Sequence, residues 1–103
     1  MFVFLSDYEG FGLTPLEALA AGIPIVVLDT PVAREVYADA ALYVARPDPP
    51  LIGAALDRIL TDEVERRRIL TAGRVVLSRY SWRTCAEQVL ALLVRCSRCR
   101  DSR

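Results

Sequence analysis

The sequence contains no lysine and no histidine, so all thirteen of its basic residues are arginine. A phosphate loop that depends on a lysine is therefore excluded within this chain, as is a histidine acting as a general base or metal ligand. Thirteen acidic residues balance the arginines, which removes the electrostatic argument for binding nucleic acid or an anionic membrane. Charged chemistry is restricted to Asp, Glu, Arg and Cys.

Cysteine is also scarce, with Cys85, Cys96 and Cys99 as the only three. An odd number of thiols without a signal peptide is typical of reduced cysteines in the cytoplasm, which is the location we expect. Cys96 and Cys99 have the CxxC spacing, but a zinc site needs four ligands and a thioredoxin-like site follows a strand. We interpret the spacing as chance and predict no metal site.

Long apolar runs are absent. None approaches the ~20 residues that cross a bilayer, so we predict no transmembrane segment. The apolar start of the chain lacks a basic region and leads directly into Asp7 and Glu9, unlike a signal peptide. We interpret residues 2–5 as a buried strand, and expect a chain that begins in a core strand to have lost sequence before it.

Short apolar runs alternate with amphipathic segments along the chain. Strands are predicted at residues 2–5, 23–28 and 41–44, and helices begin near residues 14, 31, 48, 62 and 81. This alternation is typical of an α/β fold with a parallel sheet. Because three strands leave an apolar edge unpaired, we predict a partial Rossmann-like, doubly wound parallel sheet, truncated at its N-terminus, over residues 1–94. An arginine-rich flexible tail is predicted over residues 95–103.

The last predicted helix has an apolar stripe that runs from Trp82 to Leu93. The stripe is either part of the domain core or a docking face for another domain. We favour the core.

The loop after the first strand contains Gly10 and Gly12 and leads into a helix with strong start signals. Thr14 is the predicted N-cap, Pro15 fits the first helical position, and Glu17 completes a capping box. Unpaired N–H groups at a helix start favour an anion, and glycines let the backbone approach a ligand. These features alone leave open both a phosphate-binding loop and a simple tight turn before a capped helix.

The stretch from Glu9 to Val27 resembles the signature of the glycosyl transferases group 1 family, retaining enzymes of the GT-B fold. The two glutamates of the signature, separated by seven residues, correspond to Glu9 and Glu17, and Gly-Phe-Gly-Leu follows the first. The resemblance covers about residues 2 to 94 and continues through these segments: 31–36, 39–44, the helix start at Asp48-Pro49, and 79–82. It implies that the chain is the second half of the C-terminal, nucleotide-sugar-binding domain of a GT-B enzyme.

The resemblance also implies roles for the residues that bind the donor sugar and its phosphates. Glu9 is expected to hydrogen-bond the sugar hydroxyls and is the candidate catalytic residue. Backbone N–H groups are expected to contact the sugar or phosphates, joined by the Thr14 hydroxyl; they belong to Gly10, Phe11, Gly12, Leu13 and Thr14.

Glu17 is expected, from the same resemblance, to accept hydrogen bonds from the two ribose hydroxyls of the nucleotide. A carboxylate suits a vicinal diol because its two oxygens accept in parallel with charge assistance. The alternative is a plain helix-capping role, turned back toward Thr14.

The activity that the resemblance implies is retaining transfer of a sugar, hexosyl or similar, from a UDP- or GDP-linked donor to an acceptor hydroxyl. No cofactor and no metal are expected, because cationic side chains and helix N-termini stabilise the leaving diphosphate. The basic Arg and Lys pair of the family and its N-terminal acceptor domain lie outside this chain, so we expect the isolated chain to be inactive.

Other interpretations of the same residues remain open. The chain can be a non-catalytic nucleotide-sugar-binding module or an inactive gene fragment. For the full-length enzyme, peripheral attachment to a membrane is an alternative to a purely cytoplasmic location.

Overall fold

The computed structural model describes residues 1–101, which form a parallel sheet with helices packed against it. The strands in this part of the chain are β1 (Phe2–Phe4), β2 (Ile25–Leu28) and β3 (Leu42–Val44), hydrogen-bonded in the order β1-β2-β3. The helices are α1 (Leu13–Ala20), α2 (Pro31–Tyr37), α3 (Pro49–Thr61), α4 (Glu63–Ser78) and α5 (Trp82–Asp101). The predicted α/β class with a parallel sheet is confirmed.

The core is centred on β2, the middle strand of the sheet. All four of its residues are buried, as expected for a parallel strand with helices on both faces. Ile59 of α3 and Ile69 of α4 are also fully buried, being 1% and 0% exposed. Because β1 and β2 are parallel neighbours, the loops that follow them leave the sheet at the same edge.

The end of α1 follows its local sequence. Gly22 adopts a left-handed conformation with φ 75°, which favours glycine. Its N–H donates to the Leu19 carbonyl at 3.0 Å, and the Ile23 N–H donates to the Ala18 carbonyl at 2.9 Å. These two bonds form a Schellman motif, which ends the helix at Gly22.

The start of α1 differs from the prediction. Gly12, with φ 86°, is the N-cap, and no side chain caps the helix. Thr14 and Pro15 therefore lie inside the first turn, and Glu17 lies beyond the position from which it could close a capping box. The predicted capping box is wrong, because a long-range hydrogen bond to Gly12 sets the start of the helix.

The fifth helix, α5, is exposed at every residue from 82 to 100, including Trp82 at 78% and Leu90 at 62%. The expectation that the apolar stripe of this helix belongs to the core is therefore wrong. Periodicity identified the apolar face correctly, but it carries no information about which element covers that face.

The arginine-rich segment begins inside α5, which runs without a break past residue 95 to Asp101. The predicted boundary after residue 94 thus falls within a helix, and the flexibility of the segment stays a prediction. Residues 102 and 103 of the predicted tail lie outside the described residues. Within residues 1–101, no helix is both long and apolar enough to cross a membrane.

Candidate functional site

The carboxyl ends of β1 and β2 lie side by side at one edge of the sheet. The loop that leads to α1 follows β1, and Thr30 follows β2 as the N-cap of α2. A shallow cleft between these segments is lined by side chains of both, namely Phe4, Ser6, Glu9, Phe11, Val27, Leu28, Thr30, Val32, Ala33 and Tyr37. Open parallel sheets bind their ligands at this edge.

The N-terminus of α1, which follows the loop from β1, has unpaired backbone donors. The amides of Gly12, Leu13 and Thr14 donate no hydrogen bond to another group within residues 1–101. Pro15, in the third helical position, has no N–H to satisfy. Uncapped amides and the positive end of the helix dipole together make this terminus suited to an anion.

Tyr37 anchors the loop between β1 and α1 by a side-chain hydrogen bond. Its side chain is 2% exposed, and its hydroxyl donates to the Gly12 carbonyl at 2.7 Å. Burial, reinforced by the nearby negative charge of Glu9, raises the pKa of Tyr37 to about 12, so the hydroxyl keeps its proton at neutral pH. A Cβ on Gly12 would overlap that hydroxyl, and its φ of 86° is in the left-handed region. Both facts require glycine at this position.

Tyr80, which follows α4, packs against the same loop. Its ring meets the Phe11 ring edge to face, with 5.0 Å between the centroids. Its hydroxyl donates to the Val36 carbonyl at 3.3 Å. Neither Tyr37 nor Tyr80 is among the site residues predicted from the sequence. The one available signal was that a buried tyrosine hydroxyl requires a partner, and the sequence does not indicate which group that partner is.

Glu9 and Glu17 are both exposed, and they lie in different depressions. Glu9 lines the cleft at the sheet edge, whereas Glu17 lines a neighbouring groove with Leu13 and Trp82. Phe11 borders both depressions. Neither carboxylate makes a hydrogen bond or an ion pair within the described part of the chain. Each is therefore available to a ligand, Glu9 from the loop before α1 and Glu17 from within α1.

Asp29, which follows β2 at the same edge of the sheet, also carries a carboxylate, and Arg34 neutralises its charge. Arg34 donates two hydrogen bonds to Asp29, each at 2.7 Å, and stacks over the Tyr43 ring. The guanidinium holds the pKa of Asp29 below its usual range. Among the described residues that line the cleft, Glu9 is the one with a formal charge.

Comparison with known proteins decides the family. The Glycosyl transferases group 1 family matches residues 1–76, which is most of the chain. The chain belongs to this family. The family resemblance of the loop and the two glutamates is thereby confirmed, whereas the role of each site residue stays a prediction.

Characterised relatives are similar over most of this chain. It is 35% identical over 89 residues to O-antigen chain mannosyltransferase B of Escherichia coli, covering 86% of this chain and 23% of that protein. It is 34% identical over 84 residues to phosphatidyl-myo-inositol mannosyltransferase of Mycobacterium leprae, covering 80% and 22% respectively. The chain thus spans about a quarter of the length of these relatives.

The fold is also similar to that of a solved structure. Sucrose-phosphate synthase from Thermosynechococcus elongatus superposes with a TM-score of 0.81 at 26% identity, covering 94% of this chain and 26% of that one. The likeness confirms the predicted fold class, a partial parallel sheet of the GT-B type.

Proposed function

We propose that this family member supplies the diphosphate- and ribose-binding part of the donor site in a retaining glycosyltransferase. The donor is a UDP- or GDP-linked sugar, and the acceptor is a hydroxyl group. The observation that carries the proposal is the uncapped N-terminus of α1, which follows β1 from the ligand-binding edge of the sheet and has free amides at residues 12–14, between the unpaired Glu9 and Glu17 in the sequence.

The order of these groups along the chain corresponds to the order of sugar, diphosphate and ribose in a nucleotide sugar. Glu9, in the cleft, accepts hydrogen bonds from the sugar hydroxyls. The amides of Gly12, Leu13 and Thr14 donate to the diphosphate, together with the Thr14 hydroxyl. Glu17, in the neighbouring groove, accepts from the two ribose hydroxyls. An extended donor would pass over Phe11, which borders both depressions.

The chemistry follows from where charge develops. As the bond between the anomeric carbon and the phosphate oxygen breaks, the leaving diphosphate gains negative charge. Amides that are already fixed, and that lie at the positive end of a helix, stabilise that charge without rearranging. No cofactor or metal is part of the proposal. The names of the two curated relatives favour a mannosyl group among the hexosyl donors.

The proposal also includes the exposed apolar stripe of α5. Because this stripe is not part of the domain core, we propose that it contacts the acceptor-binding domain of the full-length enzyme. Leu90, Leu93 and Trp82 are all more than half exposed and would lie in that contact.

The test is an NMR titration of the chain with GDP, UDP and inorganic diphosphate. We expect saturable shifts of the amides of residues 9–14, 16 and 17. The start of α4 is an internal control, because the Asp62 side chain caps it at 3.0 Å and two glutamates occupy its first turn. Its amides should not move. Equal shifts at both helix starts, or none at α1, would contradict the proposal.

Turnover is a separate question for the same preparation. We expect the isolated chain to bind donor without transferring sugar, as measured with a radiolabelled UDP- or GDP-sugar.

A further inference from the structure

A tyrosine side chain occupies an unusual place at the start of α1. In the other helices within residues 1–101, the carbonyl before the helix accepts from the backbone N–H four residues later, as in Arg34 to Thr30 at 3.0 Å and Cys85 to Ser81 at 3.0 Å. The corresponding carbonyl of α1, on Gly12, accepts from the Tyr37 hydroxyl at 2.7 Å. This contact joins α2 to the loop that begins α1, across 25 positions of sequence.

The geometry of one peptide unit links this contact to the site. The described chain contains no cis peptide bond, so the C=O of Gly12 and the N–H of Leu13 point in opposite directions across their shared peptide plane. Tyr37 is buried, and it draws the Gly12 carbonyl inward. The Leu13 N–H must therefore point outward. Without this anchor the peptide could rotate and present a carbonyl, which repels an anion, where the amide now lies.

Glu9 is affected by the same contact. It lines the cleft together with Tyr37, and its loop has one end at β1 and the other at Gly12. Holding Gly12 therefore fixes one end of the segment that carries the glutamate.

We propose that Tyr37 is a positioning residue of the donor site, whose hydroxyl holds the Gly12 carbonyl inward and so directs the Leu13 amide and the Glu9 loop toward a nucleotide-linked diphosphate. The ligand half of this inference rests on the proposed function, whereas the loop-holding half does not.

The experiment compares Tyr37→Phe with Tyr43→Phe, a matched control. The Tyr43 hydroxyl also donates to a backbone carbonyl at 2.7 Å, that of Ala38, with a second, longer contact to the Ala33 carbonyl at 3.2 Å, and burial also raises its pKa to about 12. Both partners lie in or next to α2, outside the donor loop. Both variants therefore lose a short hydrogen bond to a backbone carbonyl, and only Tyr37→Phe loses the anchor. Thermal melting establishes whether their losses of stability match.

Two readouts separate positioning from stability. Backbone ¹⁵N relaxation without ligand should give lower order parameters for amides 9–13 in Tyr37→Phe alone. Titration with GDP and UDP should give ~3–10-fold weaker binding for Tyr37→Phe, the equivalent of one net hydrogen bond. Tyr43→Phe should bind within about twofold of wild type, as expected for a side chain outside the site.

Unchanged order parameters in Tyr37→Phe would overturn the inference, as would equal weakening of binding in the two variants. If wild type binds neither nucleotide, the proposed function fails and the ligand half of the inference fails with it. The relaxation data still decide the loop-holding half in that case.

Discussion

Replacing Gly12 with alanine is expected to destabilise the chain at the point where the loop enters α1. A non-glycine residue at φ 86° costs ~1–2 kcal/mol. The new Cβ also overlaps the Tyr37 hydroxyl, so the buried hydrogen bond must open at a further cost of ~1–3 kcal/mol. The sum is about 2–5 kcal/mol, a large part of the total stability of a small domain. The melting temperature should fall by roughly 10–25 °C.

The assay is thermal denaturation followed by circular dichroism, with Gly10→Ala as the control. A Cβ on Gly10 meets no atom within 4 Å, so this change should cost less than about 0.5 kcal/mol. Adding Tyr37→Phe to Gly12→Ala removes the overlapping oxygen and leaves the ring carbon Cζ at 3.4 Å, an ordinary contact. The double variant should then lose less stability than the sum of the single variants. Equal melting temperatures for Gly12→Ala and Gly10→Ala, or strict additivity in the double variant, would refute the reasoning.

Two further predictions concern parts of the chain away from the loop. Hydrogen bonds from Arg68 hold the pKa of buried Glu65 below its usual range, so the pair stabilises the fold above about pH 4.3 and this contribution is lost as pH falls through the lowered pKa. Urea denaturation from pH 6 to pH 3 should therefore show a smaller pH-dependent loss in Glu65→Gln than in wild type, and identical profiles would contradict the pairing. The exposed apolar face of α5 should make the chain self-associate, so sedimentation velocity should show less association in a Leu90→Glu/Leu93→Glu variant than in wild type or in Val64→Glu, whose valine is 78% exposed on α4. A wild-type chain that stays monomeric as its concentration rises would contradict this prediction.

Elements whose signals are local were predictable from the sequence. The start of α2 at Pro31 matches the prediction, since Pro31 follows the N-cap Thr30, whose side chain accepts from the Ala33 N–H at 3.1 Å. Asp62 likewise acts where the sequence places it, at a helix start, and Gly22 ends α1 through a bond to the preceding turn. In each case the deciding interaction lies within a few residues.

The start of α1 could not be predicted in this way. Thr14, Pro15 and Glu17 have strong local signals for a capping box, yet the helix begins earlier, at Leu13. The Tyr37 hydroxyl that decides the matter is 25 positions away and belongs to another helix. Tertiary contact outweighs a capping preference worth ~1 kcal/mol.

The candidate site was predicted as a set of residues but not as an arrangement. The family resemblance singled out Glu9 and Glu17, and both prove to be exposed and unpaired within the described residues. Their separation into two depressions on either side of Phe11 depends on packing against Tyr37 and Tyr80. No pattern within residues 9–17 contains that information.

The most direct test of the donor-site account is the affinity of Glu17→Gln for GDP and UDP, measured by NMR titration of the amides of residues 9–17. Loss of charge-assisted hydrogen bonds to the ribose, worth ~1.5–3 kcal/mol, should weaken binding by about one to two orders of magnitude. A 2′,3′-dideoxy nucleotide should show a similar loss with wild type and little further loss with the variant. Glu9→Gln is the matched control, because it should spare the nucleoside diphosphate and weaken only the sugar-bearing donor. Equal affinity of wild type and Glu17→Gln for the ribonucleotide would contradict the account.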